Sequence, residues 1–327
     1  MKAVVWMEYG PPEGLQFREV QKPAPKENEV LVKIHATTVT AGDCEMRRLE
    51  LPLFFSTPMR VYNGLRAPKR ITILGQELAG EIEAVGEGVK SFKPGERVFA
   101  TTGFNLGGYA EYICLPEGAE DIALAKMPAN MTFEEAAAVP FGGLESLHFL
   151  RQAGIQPGQT VLINGAGGSI GTFGVQLAKH FGAEVTAVDS AGKLDMLRSI
   201  GADHTIDYRK EDFTTGGSKY SVIFDVIGKS PFSGCIRSLE ENGYYLMANP
   251  RVSYMLRGAW VSQTSKKKVV SGTAQQKSED LNYLRELAEA GGIRTVIDRT
   301  YPLEQTAEAH RYVESGEKQG NLIIKVT

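Results

Sequence analysis

The sequence predicts an α/β protein in which one domain is a doubly wound parallel sheet and a second, β-rich domain precedes it. Three observations predict this. A β-branched apolar run, Thr160 to Asn164, enters the glycine-rich turn Gly165-Ala166-Gly167-Gly168-Ser169-Ile170-Gly171, and an amphipathic segment, Thr172 to Phe181, leaves it. From about Met127 to Gly272, strand-like and helix-like segments then alternate regularly. From Met1 to about Ala125 the chain is instead broken into short alternating runs separated by turns.

In chain order, Lys2 to Trp6 opens as a strand. Glu29 to His35 and Gly80 to Gly86 alternate polar and apolar residues, as half-buried antiparallel strands do. Lys93-Pro94-Gly95-Glu96 carries Pro and Gly at the central places of a type II turn. After the glycine turn, Glu184 to Val188 forms a second strand ending on Asp189. Lys193 to Ile200 reads as a helix stopped by Gly201, and Thr205 to Asp207 as a third strand. Val222 to Ile227 is an apolar run broken by one acid, the pattern of a strand covered on both faces. Gly243 to Met247 and Val269 to Ser271 add two more strands. A helix over Ser278 to Ala290 leads to a last strand, Asn321 to Val326, which is expected to return to the first domain. The expected domains are 1–126, with 273–327 returning to it, and 127–272.

The glycine turn is the chemistry-bearing motif. The register that fits a dinucleotide fingerprint runs Ala166-x-Gly168-x-x-Gly171, with Gly167, Ser169 and Ile170 completing the turn. Glycines let backbone N–H groups approach a pyrophosphate, and the helix that starts there directs its positive end to the same place. An acid at the end of the next strand, Asp189, is suited to hold an adenosine ribose.

With 327 residues the chain accommodates two cores. A net charge of −3 gives no reason to expect nucleic acid or an anionic membrane as a partner, and Lys266-Lys267-Lys268 reads as a solvated turn. The three cysteines, Cys44, Cys114 and Cys235, form no CxxC pair, which argues for a reducing compartment, the cytoplasm, and against a structural zinc. The start at Met1 shows no apolar signal sequence.

Several further motifs accompany the glycine turn: Tyr9-Gly10-Pro11-Pro12, Leu74 to Gly80, Val85 to Val89 with Pro94 to Val98, Gly108 to Tyr112, and Ala136 to Pro140. Together they resemble the medium-chain dehydrogenase/reductase superfamily, and more closely its zinc-free quinone oxidoreductase branch. The resemblance covers nearly the whole chain. It implies a GroES-like catalytic domain, a Rossmann domain and a substrate cleft between them. Zinc members carry Cys where this chain has Thr40, and Gly-His-Glu where it has Gly75-Gln76-Glu77, so no metal is expected. The five histidines read as structural.

Without a Lewis acid, the expected chemistry is hydride transfer from NADPH or NADH to an electrophilic acceptor, a quinone or an α,β-unsaturated carbonyl compound. By family position, Thr40 and Asp43 belong to the nicotinamide end, although both equally suit the closing of a loop. Asn249 and Asn321 follow strands expected to end at the cleft, where their amides suit either a contact to the cofactor or a plain turn. Glu145 departs from the family, whose members have Thr there, and either alters nicotinamide binding or serves as a proton donor. Tyr62 is a second candidate donor, in the apolar stretch Leu49 to Lys69, which suits either a cleft lining or a helix-pair core. Asp189 favours NAD. Ser190 adjoins it, while Lys193 and Tyr208 match positions that cradle the 2′-phosphate of NADP, and the balance falls to NADPH. A metal-free carbonyl or alcohol dehydrogenase and a non-catalytic nucleotide-binding protein stand as alternatives. A homodimer through the Val269-Val270-Ser271 edge is compatible with the fold.

Overall fold

The structure, a computed structural model, describes residues 1–49 and 53–326. It divides into two compact units: 1–141 with 276–289 and 295–327, and 142–275 with 290–294.

The first unit is β-rich. Strands β1 (Lys2–Trp6) and β2 (Leu15–Glu19) form an antiparallel ribbon. The main sheet contains β3 (Glu29–Thr38), β4 (Glu77–Val85), β5 (Arg97–Thr101), β6 (Tyr112–Pro116) and β7 (Leu124–Lys126). Helices α1 (Ala41–Arg48) and α2 (Leu53–Asn63) follow β3, and α3 (Phe133–Ala137) follows β7. Val30, Val32 and Ile34 recur at every second place of β3 and pack with Leu78, Ile82 and Val98 in the core, while much of the opposite face of β3, β4 and β5 is buried as well.

Helix α4 (Pro140–Ala153) leads into the second unit, whose strands are β8 (Thr160–Asn164), β9 (Glu184–Asp189), β10 (His204–Asp207), β11 (Tyr220–Asp225), β12 (Leu239–Met247) and β13 (Lys268–Ser271). All pair in parallel, in the order β10-β9-β8-β11-β12-β13. This is the doubly wound arrangement, with a switch in direction after β8. Helices α5 (Ser169–His180), α6 (Leu194–Ser199), α7 (Phe232–Arg237) and α8 (Val252–Thr264) make the connections. Every residue of β11 is buried, which explains its nearly unbroken apolar sequence.

The chain returns to the first unit through α9 (Ser278–Glu289), β14 (Ile297–Pro302), α10 (Thr306–Glu314) and β15 (Asn321–Lys325). Strand β15 pairs antiparallel with β3, Ile323 opposite Thr38, as the apolar tail predicts.

Three details differ from the sequence reading. The first unit extends to Phe141 rather than ending at 126, because α3 packs on β3 and β4 and the Phe133 ring stacks on His35 with centroids 4.2 Å apart. Residues 290–294 belong to the second unit, where Gln176 and Arg294 exchange two hydrogen bonds, of 2.8 and 3.0 Å. The helix expected from Lys193 is a 3-10 turn, Ala191–Lys193, followed by α6.

Candidate functional site

In the second unit, the turn after β8 is built for close approach. Gly165 has φ +82°, and a Cβ on Gly171 would lie 2.3 Å from the Gly165 carbonyl oxygen, so α5 begins directly against the end of β8. Gly168 is the N-cap of α5 and supplies no side-chain cap, which leaves the first amides of the helix to a ligand. Ala166 and Gly165 N–H groups are spent on the Val188 carbonyl, at 3.2 and 3.0 Å. Ser169 and Ile170 form the first turn of α5. Ser146 on α4 braces it by donating to the Ile170 carbonyl over 2.6 Å.

Asp189 is buried at the tip of β9, and its carboxylate is already engaged. Oδ2 accepts from Gly167 N at 2.8 Å and Oδ1 from Ser190 N at 2.8 Å, while the Lys193 ammonium stands 3.4 Å from Oδ1. The acid therefore anchors the glycine turn, and a cation beside it offsets its charge. Tyr208, whose amide donates to the Asp189 carbonyl, is half exposed next to Arg209. Arg209 is a cation that the sequence reading did not single out.

The acid that interrupts β11, Asp225, is wholly buried. It accepts from Asn164 Nδ2 (2.9 Å), Tyr245 hydroxyl (2.8 Å) and Gly228 N (2.9 Å). These bonds hold the segment after β11 beside the exit of β8, where Ile227 lies against Gly165. Its signal in the sequence was the lone carboxylate in an apolar run. Asn249 is exposed after β12, and its backbone carbonyl closes on Gly228.

Glu145 sits on α4 and is mostly buried. Burial pushes its carboxyl up to about 7, only partly countered by a hydrogen bond from the Ala274 backbone.

In the first unit, Thr40 is the N-cap of α1 and makes a reciprocal capping box with Asp43. Asp43 N donates to Thr40 Oγ1 (3.1 Å), and Thr40 N donates to Asp43 Oδ2 (2.9 Å). The Thr40 hydroxyl itself donates to Asp43 Oδ2 over 2.7 Å and accepts from Gln76 Nε2 at 2.8 Å. A Cβ on Gly42 would come within 2.7 Å of that amide nitrogen, so glycine there is what admits Gln76. Asp43 also accepts from Gly75 N at 3.2 Å and from the Tyr109 hydroxyl; burial nevertheless pushes its carboxyl up.

The chain of buried polar groups continues from Tyr109 to His310 Nε2 (3.2 Å) and from His310 Nδ1 to Cys44 Sγ (3.3 Å). Burial holds His310 down at about 3 and the Cys44 thiol up at about 12, so imidazole and thiol are both neutral. Glu77, adjacent to Gln76 and fully buried, accepts from Thr38 Oγ1 (2.5 Å) and Phe141 N (2.7 Å). Its carboxyl is pushed by desolvation to about 7.

Zinc fits this set poorly. An amide N–H is directed at the Thr40 oxygen, and the nearby thiol faces an imidazole. Among the described residues, no cluster of three His, Cys, Asp or Glu has metal-holding geometry.

Asn321 is buried at the start of β15 and donates to Val296 O (3.2 Å), while its Oδ1 lacks a hydrogen-bond partner among the described residues. Tyr62 is half exposed and lies beneath the Arg70 guanidinium, 4.8 Å from its ring centroid. Of the Leu49 to Lys69 stretch, 50–52 lie outside the described residues, as do the side chains of 53–55. Val61 and Leu65 are exposed rather than core.

A parallel sheet of this order with a glycine-turn nucleotide site, preceded by a β-rich unit on which the C-terminal strand closes, defines a dehydrogenase of the medium-chain type. Residues 26–129 match the alcohol dehydrogenase GroES-like domain family, and residues 200–324 match a family described as zinc-binding dehydrogenase. The chain is 31% identical to a chloroplast envelope quinone oxidoreductase homolog of Arabidopsis thaliana, over 95% of this chain and 94% of that protein. It is 30% identical to the chloroplastic NADPH-dependent alkenal/one oxidoreductase of the same plant, over 99% of this chain and 79% of the relative. The crystal structure of Escherichia coli quinone oxidoreductase complexed with NADPH superposes with a TM-score of 0.83 at 27% identity, covering 100% of both chains. The protein belongs to the medium-chain dehydrogenase/reductase superfamily, in its quinone oxidoreductase-like branch.

Proposed function

We propose that this protein transfers hydride from NADPH, and less readily from NADH, to quinones or α,β-unsaturated carbonyl compounds without a catalytic metal. The observation that carries this reading is the 2.8 Å hydrogen bond from Gln76 to Thr40. Where zinc relatives place metal ligands, this chain has an amide and a hydroxyl that satisfy one another. That arrangement suits an acceptor already electrophilic enough to need only orientation. The names of the relatives agree, one being a quinone and the other an alkenal/one oxidoreductase.

In this reading the amides at the start of α5 bind the pyrophosphate, with Gly167 and Gly168 giving it room. Lys193, Ser190, Tyr208 and Arg209 receive the 2′-phosphate, because Lys193 cancels the repulsion of Asp189. Bound reduced nicotinamide supplies the hydride. Asn321 Oδ1 and Asn249 offer polar contacts to the cofactor. The second amide N–H of Gln76 orients the acceptor carbonyl, while Thr40, fixed by Asp43, holds the Gln76 side chain in place. Glu145, protonated near neutrality, holds the proton that completes reduction. The spacing of Cys44, Cys114 and Cys235, with no CxxC pair, is compatible with a reducing compartment such as the cytoplasm.

Turnover of an enone compared with its saturated ketone tests the acceptor class. Reduction of the enone alone is expected. Equal rates on both would replace this reading with a carbonyl dehydrogenase.

A further inference from the structure

The loop that leaves β5 is bound at both ends to the backbone around Gln76. On the way out, Thr102 N donates to the Gln76 carbonyl (2.9 Å) and the Thr102 hydroxyl to the Gly75 carbonyl (2.8 Å). On the way back, Gly108 N donates to Gly75 O (3.1 Å) and Tyr109 N to Leu74 O (2.9 Å). The five residues between, 103–107, therefore start and finish beside the residue whose amide is assigned to the acceptor carbonyl.

This loop is held in a costly shape. Leu106 has φ 54° and ψ −154°, a region open in practice only to glycine. Its side chain is buried in the core with Leu74 and Tyr109, and that packing holds the backbone there. Asp121 clamps the other side. Its Oδ2 accepts from Phe104 N at 3.1 Å, and a Cβ on Gly103 would fall 2.6 Å from the same oxygen. Between the two anchors the 3-10 turn Gly103–Asn105 presents Phe104 outward, 82% exposed. A lone exposed apolar side chain is ordinary on a protein surface. One displayed by a strained backbone that is fixed on both sides points to a use.

The geometry also sets its reach. Thr102 stands one place beyond the Glu77–Thr101 pair of the β4–β5 ladder, so it faces Gln76 at about 5 Å. Phe104 follows two residues later, at most about 7 Å further along the chain. The phenyl ring is thus within range of a planar acceptor of two fused rings whose carbonyl is held by Gln76.

We infer that Phe104 is the stacking face for the acceptor's ring, so that the protein takes planar ring-conjugated acceptors, quinones above all, in preference to short aliphatic enones. The electron-rich face of a phenyl ring suits the electron-poor ring of a quinone, and its fixed backbone leaves little freedom to lose on binding. The inference rests on the proposed orientation of the acceptor carbonyl by Gln76.

Two acceptors separate the ring from the carbonyl: 1,4-naphthoquinone, and 3-buten-2-one, which has no ring. An aromatic pair contributes up to about tenfold in affinity. Phe104→Ala should therefore raise KM for the quinone about tenfold, leave kcat nearly unchanged, and leave the kinetics with 3-buten-2-one as they were. Phe104→Tyr should keep the native KM, whereas Phe104→Leu, apolar but without a π face, should behave like Phe104→Ala. Asp121→Ala, which frees the turn but keeps the ring, should raise the quinone KM alone. Equilibrium dialysis with 2,3-dimethyl-1,4-naphthoquinone, whose ring is blocked against thiol addition, reads binding without turnover. Phe104→Ala should weaken that binding by the same factor, with the melting temperature unchanged.

Equal losses on both acceptors, a native quinone affinity in Phe104→Ala, or full retention in Phe104→Leu would overturn the inference. Wild-type protein that reduces neither acceptor, yet binds the blocked quinone through Phe104, would refute the hydride-transfer reading and keep the ring site. Reduction of both acceptors with no effect of Phe104→Ala would do the reverse.

Discussion

In the proposed function, cofactor preference rests on two charges 3.4 Å apart, and changing each alone should move it in opposite directions. A 2′-phosphate about 5 Å from each charge meets attraction from Lys193 and repulsion from Asp189 of roughly 3 kcal/mol apiece at an effective dielectric near 20. In the native protein these nearly cancel. Lys193→Ala leaves Asp189 uncompensated and should lower the NADPH/NADH ratio of kcat/KM, by about 150-fold as an unscreened limit and by at least about tenfold with solvent and salt. Asp189→Ser should raise the ratio by a similar factor. It should also weaken binding of both cofactors, since Gly167 N and Ser190 N each lose an acceptor. The double variant should return near the native ratio. Steady-state kinetics with both nicotinamides at one ionic strength measures all four corners. A ratio that moves the same way in both single variants, or not at all, refutes the cancellation.

Glu145→Gln should lower kcat by about 100-fold and remove a limb that falls as pH rises through about 7, because the acting form is the protonated carboxyl; an unchanged pH profile would exclude Glu145 as donor. Glu77 binds its proton more tightly folded than unfolded, its carboxyl being raised from 4.5 to about 7. Its contribution to stability is therefore whole below pH 4.5 and is lost as pH rises through 7, by about 3 kcal/mol. Glu77→Gln, whose amide can donate to Thr38 and accept from Phe141, should flatten that decline in urea unfolding between pH 5 and 8; part of the slope should persist, since Glu145 titrates over the same window. Gln76→Leu should cut kcat/KM for the acceptor by about 10- to 100-fold, the cost of one or two hydrogen bonds, and leave the NADPH dissociation constant unchanged.

The glycine turn was legible because its chemistry lies in residue type and order: only small residues allow α5 to start against β8, and Gly171 shows why. The strands were legible through alternation in β3 and β4 and through continuous apolarity in β11. The capping box at Thr40 is also written locally, as a threonine three residues before an acid. What the sequence concealed was long-range. That Asp189 spends its oxygens on Gly167 and Ser190 depends on how β9 folds back to the turn. The stacking of His35 on Phe133, which attaches α3 to the first unit, joins residues nearly a hundred positions apart. Helix α8 gave no sign because Met255, Leu256 and Trp260 are exposed while Gly258 is buried, which blurs the contrast that marks a surface helix.

Metal-stripped protein assayed with NADPH and a 1,4-quinone tests the central claim most directly. Protein dialysed against chelator and verified free of zinc should oxidise NADPH at the rate of the untreated enzyme, and added zinc should not raise that rate. Activity lost with the metal and restored by zinc would contradict the assignment of Thr40 and Gln76 to a metal-free site.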